Sequence, residues 1–288
     1  MTRIAFATSL AHKDLTDDDR TAVEPLKQRG ITVIPAVWND PKVKWEAFDQ
    51  VIVRSPWDYH RHQAEFLEWF THLDRVGVSV QNPTPILRWN LDKVYLKGIE
   101  ERGGSIVPTE WIEKGAPVDI RSILERRGWS RAVVKPTISA SAHDTWITSA
   151  AQAKEHEERI RPILKRCGLM IQPFLAEIET EGEMSMLFYG GRYSHSVRKR
   201  PAVGDFRVQT DHGGTVEPAT PTPATLREAQ QIVDLRGDDL LYARVDGVVV
   251  GDEFYLMEFE VLEPQLFFPF HPQAAERFAD AVAEGLRR

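Results

Sequence analysis

The chain has 288 residues, of which 42% are hydrophobic and 27% are charged, so neither wholesale disorder nor a fibrous repeat fits it. Its net charge is −7, whereas domains that bind nucleic-acid phosphates usually carry a basic excess, so nucleic acid is not an expected partner. A single cysteine, Cys167, excludes an intrachain disulfide and a multi-cysteine metal site. No apolar run approaches the roughly 20 residues of a membrane helix and no signal-peptide pattern is present, so we expect a cytoplasmic protein without membrane contact.

The first ninety residues alternate between strand and helix patterns. Strand runs lie at 3–8, 31–37, 50–55 and 78–83. Helix patterns lie between them, at 17–29 and 61–76. Such alternation predicts a parallel, doubly wound sheet, which we take as a first domain over residues 1–90.

Residues 91–170 mix short strands and helices and are expected to form a small α+β domain. Asn90 is expected to cap a helix that ends at Gly103. A helix that starts near residue 150 is expected to break or restart at Pro162. The remaining elements are expected at 105–112 (strand), 117–127 (helix) and 131–136 (strand).

From residue 171 to 288 the pattern changes to long antiparallel strands. EMSMLFY and RYSHSVRKR flank Gly190–Gly191, and LLYARVDGVVV and EFYLMEFEVL flank Gly251–Asp252. Both pairs are typical of two-residue hairpin turns. Helices are expected at about 223–236 and 272–287. The predicted fold class is therefore α+β, with an α/β amino-terminal domain.

Three carboxylates lie on the second predicted hairpin. Glu258 and Glu260 are two residues apart and share one face of their strand, with Met257 on the other face. Arg244 and Asp246 share a face by the same argument, and the turn brings Asp246 opposite the region of Glu258. Oxygen ligands of this kind suit Mg²⁺, although the pattern also fits a solvated polar face of a sheet.

Two further segments are candidate anion sites. Lys135 ends a β-branched strand and precedes the small hydroxylic loop TISASA, whose backbone N–H groups could cradle phosphate. The alternative is a surface lysine beside an ordinary loop, since neither the Walker nor the Rossmann glycine motif occurs in the chain. The basic segment at 198–214, RKRPAVGDFRVQTDHGG, fits either an anion site or an edge strand protected by positive charge.

Taken together and in this order, these segments resemble the ATP-grasp superfamily, in particular the group around glutathione synthetase, D-alanine–D-alanine ligase and RimK-type ligases. VRSPWDYH (53–60), WNLDKVYL (89–96) and MEFEVLEPQLFF (257–268) are similar to a subgroup of cyclo-ligases that close O-ureidoserine. The resemblance covers nearly the whole chain. It implies an ATP-grasp fold with a parallel pre-ATP-grasp substrate domain over 1–90, a small α+β lid over 91–170 and an antiparallel central, metal-binding subdomain over 171–288.

The resemblance also implies roles for single residues. Lysines would bind phosphate, the loop Ser139–Ala142 would close over the β- and γ-phosphates, the linker 172–175 would meet adenine, and Glu183 would take the ribose hydroxyls. The implied ATP-binding residues are Lys93, Lys135, Ser139, Ser141, Gln172, Pro173, Phe174, Leu175, Glu183 and Met257. The implied magnesium ligands are Asp246, Glu258 and Glu260, and the implied catalytic residues are Arg207, near the transferred phosphoryl group, and Arg244, at the tetrahedral intermediate.

A substrate site is expected after the third strand, because ligands of open α/β sheets bind beyond the carboxyl ends of strands. Arg54 could hold a carboxylate and Asp58 an ammonium group, or Pro56 and Trp57 could simply pack the domain interface. Glu263 is a further candidate for an amine. The candidate substrate residues are Arg54, Ser55, Trp57, Asp58, Tyr59 and Glu263.

The implied activity is an ATP- and Mg²⁺-dependent ligase that activates a small amino-acid-type carboxylate as acyl phosphate for attack by an amine, within one molecule or between two. The alternatives are a kinase of the same fold acting on a small metabolite and a nucleotide-binding module without catalysis. A homodimer is the commonest oligomer and is left open. Two features depart from the family: Glu260 stands where many members have Asn, and the lid loop has no glycine, which is harmless only if no positive φ is needed.

Overall fold

The amino-terminal unit is a four-stranded parallel sheet, as the alternating pattern predicted. The structure, a computed structural model, describes residues 2–139, 142–236 and 240–287. The strands of this sheet lie in the order β2-β1-β3-β4. The elements are β1 (Thr2–Thr8), α1 (Asp17–Thr21), α2 (Val23–Gln28), β2 (Ile31–Val37), β3 (Gln50–Ser55), α3 (Gln63–Val76), β4 (Ser79–Gln81) and α4 (Thr84–Asn90).

Helix α3 shows why this unit forms. Phe66, Trp69, Phe70 and Leu73 recur at helical spacing and pack in one apolar cluster with the buried residues of β1 and β3. The helix ends at Gly77, which adopts φ +72° and donates its N–H to the carbonyls of the last turn. The expected single helix at 17–29 is instead two short helices, α1 and α2, separated at Ala22.

The second unit is a four-stranded antiparallel sheet, β5-β8-β6-β7, with two helices packed against it. The domain boundary expected at residue 170 falls inside its strand β8 (Leu169–Pro173). Pro162 lies within the last turn of helix α7 (Ala153–Leu164) and does not break that helix. The elements, with the helix that precedes them, are α5 (Tyr95–Glu101), β5 (Glu110–Ile112), α6 (Ile120–Arg127), β6 (Arg131–Pro136), β7 (Trp146–Ser149), α7 (Ala153–Leu164) and β8 (Leu169–Pro173).

Asn90 does not cap a helix, contrary to expectation. It is the last residue of α4, and its buried side chain bonds to the carboxy-terminal strand pair instead. Nδ2 donates to the Phe259 carbonyl at 2.7 Å, while Oδ1 accepts from the N–H groups of Val261 at 2.9 Å and Leu262 at 3.1 Å. The asparagine therefore fixes the end of the strand that carries Glu258 and Glu260.

The third unit is a five-stranded antiparallel sheet in the order β11-β10-β9-β12-β13, and it contains both predicted hairpins. Tyr189 pairs with Arg192 and Val250 with Glu253, which leaves two-residue turns at the expected glycines. The elements are α8 (Glu177–Thr180), β9 (Glu183–Tyr189), β10 (Arg192–Arg200), β11 (Thr215–Ala219), α9 (Pro223–Arg236), β12 (Tyr242–Val250), β13 (Glu253–Glu260) and α10 (Ala274–Gly285).

The first and third units share a core. Phe278 and Val282 of α10 pack in one cluster with Ile4 and Phe6 of β1 and with Leu187 of β9. Alternate residues of β9 face this side, and farther along the same face the side chains become polar at Glu183 and Ser185. The polar part of that face is one wall of the cavity described next. Within the described residues no helix is both long and apolar enough to cross a bilayer.

Candidate active site

A cavity of about 300 Å³ lies between the lid sheet and the polar face of the five-stranded sheet. Side chains from all three units line it, so its shape depends on how the whole chain folds. Most of the candidate residues line this cavity: Trp57, Tyr59, Lys93, Lys135, Ser139, Gln172, Pro173, Phe174, Leu175, Glu183, Arg207, Arg244, Asp246, Met257, Glu258, Glu260 and Glu263. Ser141 lies outside the described residues.

The acidic cluster is set by the pairing of β12 with β13. Asp246 pairs with Glu258 and Arg244 with Glu260, and one ligand oxygen from each of the three acids lies within 4.8 Å of the others. The register shifts between Asp246 and Gly247, so Met257 and Glu258 both face the cavity. The expected alternation, with Met257 on the opposite face, is wrong for this reason.

Cations surround the acids. The Arg244 guanidinium contacts Asp246 at 2.9 Å and also pairs closely with Glu260. Lys93 Nζ lies 3.1 Å from Glu258, and Lys199 Nζ lies 3.5 Å from Asp246. Burial alone would raise the pKa of Asp246, but Arg244 and Lys199 outweigh it and hold that pKa below its usual value.

The donor set fits a hard divalent cation. The three acids offer only oxygen atoms, which is the ligand type that Mg²⁺ prefers. Burial is the main reason that the pKa of Glu260 lies well above its usual value, and the neighbouring Glu263 and Glu258 raise it further against the pull of Arg244. A cation among these carboxylates would offset that repulsion.

The two candidate phosphate lysines lie in the same cavity but differ in their surroundings. Lys93 donates from Nζ to the Ser139 carbonyl at 2.9 Å and from its backbone N–H to the Thr137 carbonyl at 2.8 Å, so it ties the lid loop to the acidic cluster. Burial would lower the pKa of Lys93, but Glu258 outweighs it and raises that pKa. Burial lowers the pKa of Lys135 to about 8.

The lid loop adopts left-handed backbone conformations without glycine. Ala142 and Asp144 both have φ +54°, whereas we expected that alanine and serine would suffice only without positive φ. A side chain in this region costs on the order of 1 kcal/mol relative to glycine. Two residues without glycine's conformational freedom therefore adopt positive φ next to this loop.

The cavity also has an apolar slot at the end of β8. Pro173, Phe174 and Leu175 form it together with Met257 and Ile178. Gln172 faces away from solvent, and its Nε2 donates to Thr109 Oγ1 at 2.8 Å. Nearby, Glu183 pairs closely with Lys199. Burial raises the pKa of Glu183, and Lys199 offsets only part of that effect.

The end of the cavity nearest the amino-terminal sheet is acidic; we call the residues 263–268 the acceptor segment. Glu263 and Tyr59 face each other there, and burial followed by Glu263 raises the pKa of the Tyr59 phenol well above its usual value. Trp57 Nε1 donates to the Glu263 carbonyl at 3.1 Å. An ammonium group would suit this environment better than a carboxylate.

Arg54, Ser55 and Asp58 do not line the cavity. Arg54 is 1% exposed; its Nε donates to Asp19 at 2.9 Å and its Nη2 to the Pro264 carbonyl at 2.8 Å. Ser55 Oγ donates to Asp19 as well, at 3.2 Å. The structure thus does not bring Arg54 to the cavity: its Nε and Nη2 are used within the fold, and the expected role in holding a substrate carboxylate stays a prediction.

The structure does not bring Asp58, the expected ammonium site, to the cavity either. Its Oδ1 accepts a hydrogen bond from Trp38 Nε1 at 2.8 Å, on the amino-terminal unit. The acidic group that does face the cavity from this side is Glu263.

Lys199 is a cavity residue that was seen only as one member of a basic segment. Counting back from the Gly190–Gly191 turn would pair Glu183 with Arg198, but a register shift in β10 pairs it with Lys199 instead. A bulge of this kind leaves no clear mark in the sequence. Asn90, Gln265 and Phe267 also line the cavity and were not singled out for it.

Comparison with known proteins agrees with this architecture. The family described as the D-cycloserine synthetase DcsG N-terminal domain matches residues 4–82. The cycloserine biosynthesis protein DcsG of Streptomyces lavendulae is 29% identical over 299 aligned positions, which cover 99% of this chain and 99% of that protein. A crystal structure of D-cycloserine synthetase DcsG superposes with a TM-score of 0.89 at 27% identity and covers 99% of each chain.

More distant structures share the fold. D-alanine–D-alanine ligase from Bacillus anthracis, in complex with ATP, has a TM-score of 0.68 at 15% identity and covers 100% of this chain and 98% of the other. The ATP-grasp ligase PsnB, in complex with a minimal precursor, Mg and ADP, has a TM-score of 0.65 at 15% identity, with 99% and 98% covered. The chain is therefore a homologue of DcsG and has the ATP-grasp ligase fold.

Proposed function

We propose that the protein is an ATP- and Mg²⁺-dependent carboxylate–amine ligase that acts on a small amino acid and releases ADP and phosphate. The observation that carries the proposal is the convergence of Asp246, Glu258, Arg244, Lys93 and Lys135 on one cavity. The same cavity is lined by the apolar residues 173–175, which suit a nucleotide base, and by Glu263, which suits the ammonium group of an amino acid. The similarity to DcsG supports a ligase of this class.

In this proposal the apolar slot binds adenine, and Lys93 and Lys135 hold the phosphates. Asp246, Glu258 and Glu260 would hold Mg²⁺, which neutralises phosphate charge when bound. The substrate carboxylate attacks the γ-phosphorus and forms an acyl phosphate with release of ADP. An amine then attacks the acyl carbon, and phosphate leaves from the tetrahedral intermediate.

Arg244 is the residue that we assign to the developing oxyanion, because its guanidinium already lies between the acids and the acceptor segment. Arg207 also lines the cavity, where Asp205 accepts from its Nη2 at 2.7 Å. We assign Arg207 to the transferred phosphoryl group. To bind that group, its guanidinium would release Asp205.

Glu263, at the start of the acceptor segment, favours a substrate that carries an ammonium group near its reacting carboxylate. Glu263 would take the ammonium group, and Tyr59 would orient Glu263. The name of the homologue, cycloserine biosynthesis protein, makes ring closure of an O-ureidoserine-type amino acid the first reaction to test. The cytoplasmic location and the homodimer stay predictions.

The test is ADP release from Mg-ATP with a panel of small amino acids and O-ureidoserine, in the presence of hydroxylamine. A hydroxamate with one panel member supports the acyl phosphate and names the carboxylate. ADP release that depends on a panel member but gives no hydroxamate, amide or ring would contradict the proposal and favour the kinase.

The matching variant is Glu258→Gln, which removes a ligand charge and the partner of Lys93. We expect ADP release to fall about 100-fold or more, because charge placed at the transferred group contributes the largest share of such catalysis. Glu253→Gln is the control: this exposed carboxylate lies at the far end of the same strand and contacts Tyr255. Equal losses in both variants would contradict the assignment of Glu258.

A further inference from the structure

Side chains from distant parts of the chain hold the backbone of the acceptor segment. Three successive carbonyls each accept from a different residue: Trp57 donates to Glu263, Arg54 to Pro264 and Arg244 to Gln265, at 2.8 to 3.1 Å. A loop that carries no ladder hydrogen bonds is usually solvated. Here three side chains donate to successive carbonyls of the loop, so hydrogen bonds within the protein hold its backbone in place.

Within this segment, Phe267 has the most unusual backbone conformation, with φ +52° although it is not a glycine. Among the described residues only Leu15, Ala142 and Asp144 share this property. A bulky residue in the left-handed region persists only where its surroundings fix it, and such residues concentrate at functional sites.

Two buried residues, Asp18 and His195, form hydrogen bonds with the backbone at Phe267. Asp18 accepts from the N–H groups of Leu266, Phe267 and Phe268, at 2.8, 3.1 and 2.7 Å. His195 Nε2 faces the carbonyls of Leu266 and Phe267, at 3.1 and 3.3 Å. Both peptide groups that flank the Phe267 Cα are thus tied to side chains from other elements.

The histidine is a neutral donor. Both partners of Nε2 are carbonyls, so this nitrogen carries the hydrogen, and Nδ1 accepts from the Ser194 hydroxyl at 3.0 Å. Burial lowers the pKa of His195 to about 4, with His271 and Arg277 nearby adding to the effect. His195 lies on the far side of the segment from the cavity, where it cannot contact the proposed substrate.

Phe267 and its neighbour Gln265 connect this segment to Arg244. The Phe267 ring lines the cavity, and the Arg244 guanidinium carbon lies 5.7 Å from the centre of that ring. Arg244 Nη1 also donates to Gln265, two residues before Phe267. A change in the Phe267 backbone would therefore move two of the groups that orient the guanidinium.

We propose that His195 and Asp18 are positioning residues, which hold Phe267 in its left-handed conformation and thereby fix Arg244 for the reaction. The consequence for turnover rests on the function proposed above, because it depends on the role of Arg244. The hydrogen bonds of His195 and Asp18 to the Phe267 backbone do not depend on the proposed function, and they are tested separately.

The backbone test is amide hydrogen exchange of the peptide that contains 263–268 in the intact protein. His195→Leu removes the Nε2–H donor and fills its place with an apolar side chain. Because the backbone carbonyls lose this partner, we expect exchange about tenfold faster in this peptide. His195→Gln offers an amide N–H in place of Nε2–H and should restore slow exchange. His156→Leu is the matched control, since this buried histidine bonds to Thr148 in the lid and has no contact with the segment.

The activity test compares His195→Leu with Phe267→Gly and with the double variant. Glycine accepts φ +52° but has no ring, so we expect Phe267→Gly to lose turnover without strain. His195→Leu should lower kcat about tenfold or more while the KM for ATP changes less than about twofold. In the Phe267→Gly background the same histidine change should have almost no further effect on kcat.

Two results would overturn the proposal. One is unchanged exchange of 263–268 in His195→Leu, or an equal increase in His156→Leu. The other is a loss of kcat from His195→Leu that is just as large without the Phe267 ring. If no acceptor in the panel is turned over, the exchange measurement still decides whether His195 holds the Phe267 backbone, and the ligase proposal fails on its own.

Discussion

Lys135 and Lys93 illustrate how neighbours set the charge of a single residue. Both are partly buried, but Lys93 contacts Glu258 directly, whereas Lys135 has no ion pair among the described residues. Burial therefore dominates at Lys135 and lowers its pKa to about 8, with Glu258 and Glu183 opposing the shift and Lys93 adding to it. Below pH 8 the free protein carries the charge on Lys135, and above it the ammonium loses its proton.

This difference predicts that nucleotide binding takes up a proton above pH 8. Phosphate favours the charged lysine, so binding raises its pKa back toward the ordinary 10.5, and the affinity for ATP falls as the pH rises through about 8. Titration calorimetry at pH 8.5 in buffers of different ionisation enthalpy measures the uptake.

The control for that measurement is Lys135→Arg, because a guanidinium stays charged throughout this range. The arginine variant should bind ATP without proton uptake. Equal uptake in the variant and the wild type would assign the proton to another group and contradict the role of Lys135.

Sequence reasoning at this scale identified residue types better than residue partners. Asp246, Glu258 and Lys135 were found from strand pattern and spacing, and the structure brings them to one cavity. The partners of Arg54 and Asn90 were not foreseen, because they lie more than 160 residues away, at Pro264 and Phe259. Nothing local in the sequence marks contacts of that separation.

At the scale of elements, the bulge between β12 and β13 decides which side chains meet. It adds one residue to β13, so Asp246 pairs with Glu258 instead of Met257. Gly247 lies at the bulge in close contact with the opposite strand. A Cβ built on it would come within 2.3 Å of the Phe254 ring and 2.5 Å of the Tyr255 carbonyl.

We therefore expect Gly247→Ala to lower the free energy of unfolding by about 1–3 kcal/mol and to displace the neighbouring Asp246. The acidic cluster should lose Mg²⁺ affinity, which titration of the nucleotide-free protein measures. Gly251→Ala in the same hairpin has φ +64° and no atom within 4 Å of its Cβ, so it should cost only about 1 kcal/mol of backbone strain and keep the metal affinity. Matching losses of metal affinity in both variants would contradict this account.

The elements themselves were largely predictable, because periodicity and turn glycines are local signals. Both hairpin turns, helix α9 and the parallel sheet were predicted and are confirmed. The two register shifts were not, since they depend on how neighbouring strands pack. Pro162 shows that a local signal can also mislead. Proline usually ends a helix, yet α7 continues through this residue.

At the scale of the whole molecule, a buried ion pair within the first unit anchors an arginine that also contacts the third unit, where its Nη2 donates to the Pro264 carbonyl. Arg54 and Asp19 are both almost fully buried and 2.9 Å apart. The Arg54 guanidinium carbon also lies 5.2 Å from the Tyr242 ring centre on β12. Burial would lower the pKa of Arg54, but Asp19 and its neighbours outweigh it and keep the group charged.

Removing one partner of this pair is expected to cost more than removing both. Asp19→Asn leaves the buried guanidinium without its counter-charge and should lower the free energy of unfolding by about 3–5 kcal/mol. The double variant Asp19→Asn with Arg54→Met should recover part of that loss. Urea unfolding at pH 7 provides the comparison, and a double variant that loses the sum of the single effects would contradict the coupling.

The acceptor segment has a consequence for the order in which the molecule can assemble. Asp18 and Leu266, which are bonded to each other, are 248 residues apart in the chain. Contacts of such separation form late and slowly, because a long loop must close before they contribute. During synthesis the amino-terminal sheet can fold while Arg54 and Asp18 still lack their partners. The acceptor segment can form these bonds only after residue 268 has left the ribosome. A growing chain therefore cannot bind its substrate before synthesis is nearly complete.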